Sequence, residues 1–209
     1  MTFEHACFIS FPNDAGNATT FAQCFFEELQ GHLAPYDKDL SIFKWDCRED
    51  RRRGDAWATW IGRELCRSAM MVAICPPAYF NSSEGCVSEF DGMENLAASR
   101  SEMLACCVGD MDWIIGVRLK EKAELPRLKP DYGVIDFFEC ASTPKDVRRL
   151  KRNRQKVEQL ADRIWRHWQS IDRHANRVAL ENAQLCKQFL LSRVDMTKPD
   201  AFPQLGAAR

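Results

Sequence analysis

Residues 69–75 read AMMVAIC, and Pro76-Pro77 follow them directly. An uninterrupted apolar run that ends at prolines predicts a strand buried on both faces, because a strand with one solvated face alternates apolar and polar side chains. Strands of this kind belong to parallel sheets that carry helices on both sides. This stretch therefore indicates an α/β protein.

Four other apolar runs of strand length accompany residues 69–75 and alternate with amphipathic stretches. The predicted strands are residues 6–11, 40–45, 113–117 and 132–138. Helices are predicted to start near Thr19 and after Asp55, and a short helix is predicted over roughly 84–99. Strand–helix repetition predicts a five-stranded, doubly wound parallel sheet with helices on both faces.

The carboxyl ends of the first three predicted strands are Phe11, Asp46 and Cys75. Open parallel sheets bind their ligands at this edge. The loops that begin at these residues are therefore the candidate site.

The composition changes to a long helical pattern from Pro144 onward. No Gly or Pro occurs between 145 and 198, and one heptad phase holds Val157, Ile164, Ile171, Val178 and Leu185. Either this seam closes the domain itself, with its second half as a separate packed helix, or it pairs chains in a coiled coil or bundle. We predict an α/β domain over 1–143, a helical extension over 144–195 and a tail over 196–209.

Composition and charge exclude several classes. The 209 residues are 45% hydrophobic, and 29 Lys and Arg against 30 Asp and Glu leave a net charge of −1. No global charge draws the chain to nucleic acid or to a membrane. The basic residues concentrate in 145–174, where their charge either solubilises a helix or contacts phosphates. Without an apolar run of membrane length or a signal-like start, we expect a cytoplasmic protein.

Ten cysteines are scattered without a CxxC pair, and the four histidines are not spaced with them as metal ligands would be. We predict reduced thiols and no metal. The GxxxxGK[ST], GxGxxG, GxSxG and HExxH motifs are also absent. What remains is the polar loop after the third strand, PAYFNSSEGCVSEF over 77–90.

Three segments resemble Toll/interleukin-1 receptor (TIR) domains. FISF at 8–11 is similar to the FxSY start of the family, and GDAW at 54–57 to its second loop and helix. Residues 78–90 resemble its YxxSxWCxxE stretch. Order and spacing agree over roughly residues 4–140. Gly85 replaces the usual tryptophan, and Pro77 stands where a serine is common.

The resemblance implies a flavodoxin-like fold and, in the family's enzymes, cleavage of the nicotinamide–ribose bond of NAD. Its catalytic glutamate corresponds to Glu89; Glu84 lies outside the CxxE register. NAD is the substrate, and no cofactor or metal is implied. A single carboxylate suits this chemistry, because the nicotinamide ring of NAD is already cationic and leaves without a general acid, and the carboxylate stabilises the developing positive charge. Taken alone, a glutamate in a first helical turn is better explained by the helix dipole than by catalysis.

The resemblance also implies a substrate-binding set around Glu89. Its members are Ser10, Phe11, Asp46, Trp57, Ser82, Ser83 and Cys86. Several have a structural interpretation too: Phe11 and Trp57 as core residues, Asp46 as a loop cap, and Ser82 and Ser83 as turn residues. Cys86 is expected to be structural, because the reaction needs no thiol nucleophile.

The charged segment that contains Arg51, Arg52, Arg53 and Gly54 stands at the family's BB loop. The resemblance implies that this loop covers the pocket or contacts a neighbouring TIR domain, which predicts a homo-oligomer and an activator protein or nucleotide signal. We expect no membrane partner and no direct nucleic-acid contact. The alternative is a non-catalytic TIR interaction module, and a third hypothesis is an enzyme acting on another N-glycoside.

Overall fold

The computed structural model describes residues 3–12, 17–44, 56–81, 84–108, 111–119, 127–128, 132–137 and 151–196. Its centre is a five-stranded sheet in which every neighbouring pair is parallel. The strands are β1 His5–Ser10, β2 Ile42–Lys44, β3 Ser68–Cys75, β4 Ile114–Arg118 and β5 Ile135–Asp136. Their order is β2-β1-β3-β4-β5, so the fold is flavodoxin-like α/β, as the sequence predicts.

Helices cover both faces of this sheet. Those in the described residues are α1 Asn17–Leu33, α2 Ala56–Arg67, α3 Glu84–Val108, α4 Lys151–Asp172 and α5 Ala175–Met196. Helix α4 packs on α1, whereas α5 packs on α2 and α3. The start of α2 agrees with the expectation that a helix follows Asp55.

The apolar run of β3 divides between two cores. Met70, Val72 and Ile74 belong to the cluster beneath α1 and α4, and Met71 and Ala73 belong to the cluster beneath α2 and α3. Successive side chains of a strand point to opposite faces, so a strand covered on both sides must be apolar throughout. All eight residues of β3 are accordingly buried.

Helix α3 is longer than the predicted 84–99 and ends at Val108. Leu104, in its last turns, is buried in a third apolar cluster with Trp113, Ile171 and Val178. The sequence pattern understates this length, because the residues that cover the last turns are distant in sequence: Trp113, just before β4, and residues of the C-terminal helices. Packing against them gives the extra turns their apolar surroundings.

In the described part of the helical extension, α4 and α5 are separated by a turn at 173–174, so its second half is a separate helix. A continuous helix of that length would extend about 78 Å at the usual rise per residue, far beyond the sheet that its apolar residues have to cover. The turn lets both halves pack on the same domain.

The heptad seam is buried within the chain. Its five residues, from Val157 to Leu185, are at most 7% exposed. Val157 and Ile164 belong to the core beneath α1, and Ile171 and Val178 belong to the third cluster. The interpretation that this seam pairs two chains is therefore wrong, because its apolar face already covers the α/β core. None of the helices in the described residues combines the length and the hydropathy of a membrane-spanning segment.

Candidate functional site

The candidate site lies where the sheet order reverses. From β1 the chain goes to β2 on one side and returns to β3 on the other side of β1. Crossovers that leave in opposite directions open a crevice at the carboxyl ends of the two central strands, which is where such sheets bind ligands. Ser10 ends β1, and Tyr79 lies in the turn four residues beyond Cys75, the end of β3.

Three polar side chains meet at this point. The Ser10 hydroxyl donates to Glu89 Oε2 at 2.6 Å, and its oxygen lies 2.6 Å from the Tyr79 hydroxyl. Ser10, Tyr79 and Glu89 are 1%, 0% and 4% exposed. Ser10 and Glu89 stand 79 positions apart in the chain, so the parallel topology brings them together. We call these three residues the Ser10 cluster.

The direction of the hydrogen bonds follows from proton counting. A serine hydroxyl has one proton, and Ser10 uses it on a carboxylate oxygen. Tyr79 must then donate to Ser10. Burial raises the pKa of the Tyr79 hydroxyl well above its usual range, and Cys75, Cys86 and Glu89 raise it further. The phenol therefore keeps its proton at any pH at which the protein works.

Aromatic rings fix the elements that carry these groups. Tyr79 meets Phe80 edge-on with ring centroids 4.8 Å apart, and Phe80 meets Phe90 in the same way at 5.0 Å. The Arg127 guanidinium lies over both phenylalanine rings, 5.7 and 5.3 Å from their centroids. Because Phe90 is the neighbour of Glu89 on α3, these contacts hold the carboxylate at the end of β1.

Phe11 and Cys86 are both buried among apolar residues. Phe11 packs in the core beneath α1 and α4, whereas Ser10 turns to the other face, as alternation along a strand requires. Cys86 is 3% exposed in the apolar cluster that also holds Tyr79 and Phe90. Both residues support the site as core residues in this structure, and their contact with substrate stays a prediction.

Other expected site residues lie outside the described part of the chain. They are Asp46, Ser82, Ser83, Arg51, Arg52, Arg53 and Gly54, together with the side chain of Trp57. Their roles stay predictions.

Tyr79 is the functional candidate that sequence reasoning missed. It stands in the polar loop and in the segment that resembles the TIR pattern, yet nothing local assigns it a role. Its position in the sequence is the signal that could have indicated it: a tyrosine in a turn just after a fully buried strand can pack its ring in the core and hydrogen-bond through its hydroxyl. Its partner Ser10 is 69 positions away, so the sequence does not show the contact.

The described residues contain neither a metal-type cluster nor a disulfide. No group of three His, Cys, Asp or Glu side chains there could hold a metal ion. The thiols of Cys7, Cys24, Cys66, Cys75, Cys86 and Cys186 form no disulfide. Burial raises the pKa of the Cys7 thiol to about 12, so it stays protonated in the core.

A cavity of about 230 Å³ lies elsewhere, lined by four residues of α3, by residues 111–114 and by Tyr132. Its carboxylates already have partners: Glu94 binds Arg127 and Tyr132, and Asp112 binds Arg163. The lining includes no member of the Ser10 cluster. This cavity, at the amino end of β4, is therefore separate from the candidate site.

Comparisons with known proteins identify no relative: no family model matches the chain, and no curated protein or solved structure matches it.

Proposed function

We propose that this protein is a TIR-domain enzyme that cleaves the nicotinamide–ribose bond of NAD, with Glu89 as the catalytic residue. The observation that carries the proposal is the Ser10–Glu89 hydrogen bond at the carboxyl edge of the sheet. Two segments that resemble TIR motifs, 8–11 and 78–90, thus converge on one carboxylate at the topological switch point. The wider role that fits is an immune effector or signal producer that self-assembles.

The chemistry needs little from the protein beyond this carboxylate. Nicotinamide departs as a neutral molecule from a cationic N-glycoside, and positive charge develops on the ribose. A preorganised carboxylate in a water-poor site stabilises that charge more strongly than water does. The 4% exposure of Glu89 fits such a site. Attack by water gives ADP-ribose, and attack by a group of the same molecule gives a cyclic isomer.

The decisive experiment compares Glu89→Gln with the wild type. The variant keeps an oxygen that can accept the Ser10 proton but loses the charge, so we expect at least about a hundredfold loss of NAD cleavage with little change in stability. Nicotinamide release is measured chromatographically at high protein concentration and with candidate activators. Glu102→Gln, which removes a carboxylate from an exposed position of α3, is the matched control. Undiminished turnover in Glu89→Gln would contradict the assignment.

A non-catalytic TIR interaction module is the second candidate function. It is favoured by the near-complete burial of Glu89 and by the fact that this carboxylate already accepts a hydrogen bond. In that case Glu89 only fastens α3 to β1. A wild type that leaves NAD intact under every condition, and a Glu89→Gln variant that is only destabilised, would support this module. Tests with other N-glycosides separate both from the third hypothesis.

A further inference from the structure

We propose that Tyr79 is a positioning residue for Glu89 and acts through Ser10. This inference rests on the proposed function of Glu89 and adds a residue to it. The Tyr79 hydroxyl orders the Ser10 hydroxyl, and Ser10 in turn holds the carboxylate in one position. Tyr79 itself does not contact the substrate.

The hydrogen bonds of the Ser10 cluster run in one fixed direction. Tyr79 donates to Ser10, and Ser10 donates to Glu89, over distances of 2.6 Å each. Aligned donors polarise one another, so the proton that Ser10 presents to Glu89 is a stronger donor when Tyr79 is present. The charged form of Glu89 is stabilised as a result.

Tyr79 is held rigidly by its surroundings. Its backbone N–H donates to Pro76 O at 3.0 Å, and Asn81 N–H closes the next turn on Ala78 O, also at 3.0 Å. The ring is fully buried between Phe80 and Phe90. A side chain held on all sides orients its hydroxyl without an entropic cost at each turnover.

Burying these three polar groups together carries a cost. A tyrosine hydroxyl, a serine hydroxyl and a carboxylate in the same buried place are unfavourable unless each is hydrogen-bonded. A phenylalanine at 79 would fill the same apolar space and remove one polar group. The hydroxyl is therefore better explained by its effect on Ser10 than by packing.

The test uses Tyr79→Phe, Ser10→Ala and the double variant. We expect Tyr79→Phe to lower kcat about tenfold, a barrier increase of the size of one neutral hydrogen bond, with KM nearly unchanged. The acid limb of the pH–rate profile should move to higher pH, since the ionised carboxylate loses support. In the Ser10→Ala background, Tyr79→Phe should add nothing, because the connection to Glu89 is already broken.

A second readout does not depend on NAD cleavage. The ¹³C signal of the Glu89 carboxyl, assigned by its loss in Glu89→Gln, is titrated in each variant. We expect its midpoint to move to higher pH in Tyr79→Phe and in Ser10→Ala. If the wild type does not cleave NAD but these shifts occur, the proposed function fails and the Tyr79–Ser10–Glu89 connection stands.

Tyr132→Phe is the matched control, because its hydroxyl also donates to a glutamate of α3, Glu94, at 2.6 Å. It should leave both the pH–rate profile and the Glu89 signal unchanged. The proposal is overturned if the Glu89 midpoint does not move in a folded Tyr79→Phe protein. It is equally overturned if Tyr79→Phe and Ser10→Ala affect that midpoint independently. Should Tyr79→Phe not fold, an unmoved midpoint in Ser10→Ala overturns it instead.

Discussion

The buried hydroxyl of Ser10 is explained by residues that are distant from it in the sequence. Ser10 ends β1 directly after the apolar residues 6–9 and is 1% exposed. It is tolerated there because Tyr79 and Glu89 satisfy its hydroxyl. The same residue connects a buried tyrosine to the carboxylate that we propose as catalytic, so one hydroxyl links stability and function.

His167 on α4 predicts how stability depends on pH. Burial lowers its pKa below the ordinary 6.5, with Arg163 and Arg166 lowering it further and Asp112 opposing them. As the pH falls below 6.5, the unfolded chain binds the proton first, so the free energy of unfolding decreases until the folded protein is also protonated. His167→Gln should flatten this decrease in urea titrations at several pH values, whereas exposed His174→Gln should not. Identical pH dependence in both variants would contradict the prediction.

At the scale of elements, a buried cation joins α3 to the end of α2. Arg100 is 0% exposed and donates to the carbonyl oxygens of Leu65, Cys66, Ser68 and Ala69, at 3.1 to 3.4 Å. Burial lowers its pKa to about 10, so the guanidinium is still charged at neutral pH. A cation at a helix C-terminus also meets the negative end of the helix dipole.

Arg100→Met tests this junction. The variant fills much of the space but leaves buried carbonyl groups without donors, and we expect it to lose about 3 kcal/mol of unfolding free energy. Arg100→Lys should lose less, since the charge remains but cannot reach all four carbonyls. Urea denaturation measures both, and Arg63→Met, at an exposed position of α2, is the control. Wild-type stability in Arg100→Met would show that the junction does not need the cation.

At the scale of the whole molecule, α4 and α5 complete the fold. Ile164 lies in the core beneath α1, and Ile171 lies in the cluster with Trp113. Contacts between TIR domains through the charged BB loop stay a prediction. The helical seam, however, cannot take part in them because the domain itself covers it.

The double variant Ile164→Asp/Ile171→Asp should therefore be unfolded at 25 °C. Each carboxylate placed in these cores lowers the free energy of unfolding by several kcal/mol. Their sum is comparable to the whole free energy of unfolding of a typical domain, roughly 5–15 kcal/mol. Circular dichroism and light scattering measure the outcome. Gln159→Asp/Gln169→Asp places two aspartates at exposed positions of the same helix and should stay folded. A folded, merely monomeric Ile164→Asp/Ile171→Asp protein would contradict the intramolecular packing.

The sequence by itself determined the class of this fold and the succession of its strands. Residues 69–75 predict a strand covered on both faces, because only an uninterrupted run of apolar side chains suits burial on both sides. The end of α3 at Val108 could not be predicted, since its last turns depend on Trp113 and on the C-terminal helices.

Tertiary structure alone decided which residues meet. The heptad phase of 157–185 shows that one face is apolar. It does not show whether another chain or the domain's own sheet covers that face. The Ser10 cluster, too, is formed only by the tertiary structure. Its members come from β1, the turn after β3 and α3, and they touch because parallel strands end at a common edge. Hydrophobic patterning specifies faces and lengths, whereas contacts between distant polar groups depend on how the packed elements align in space.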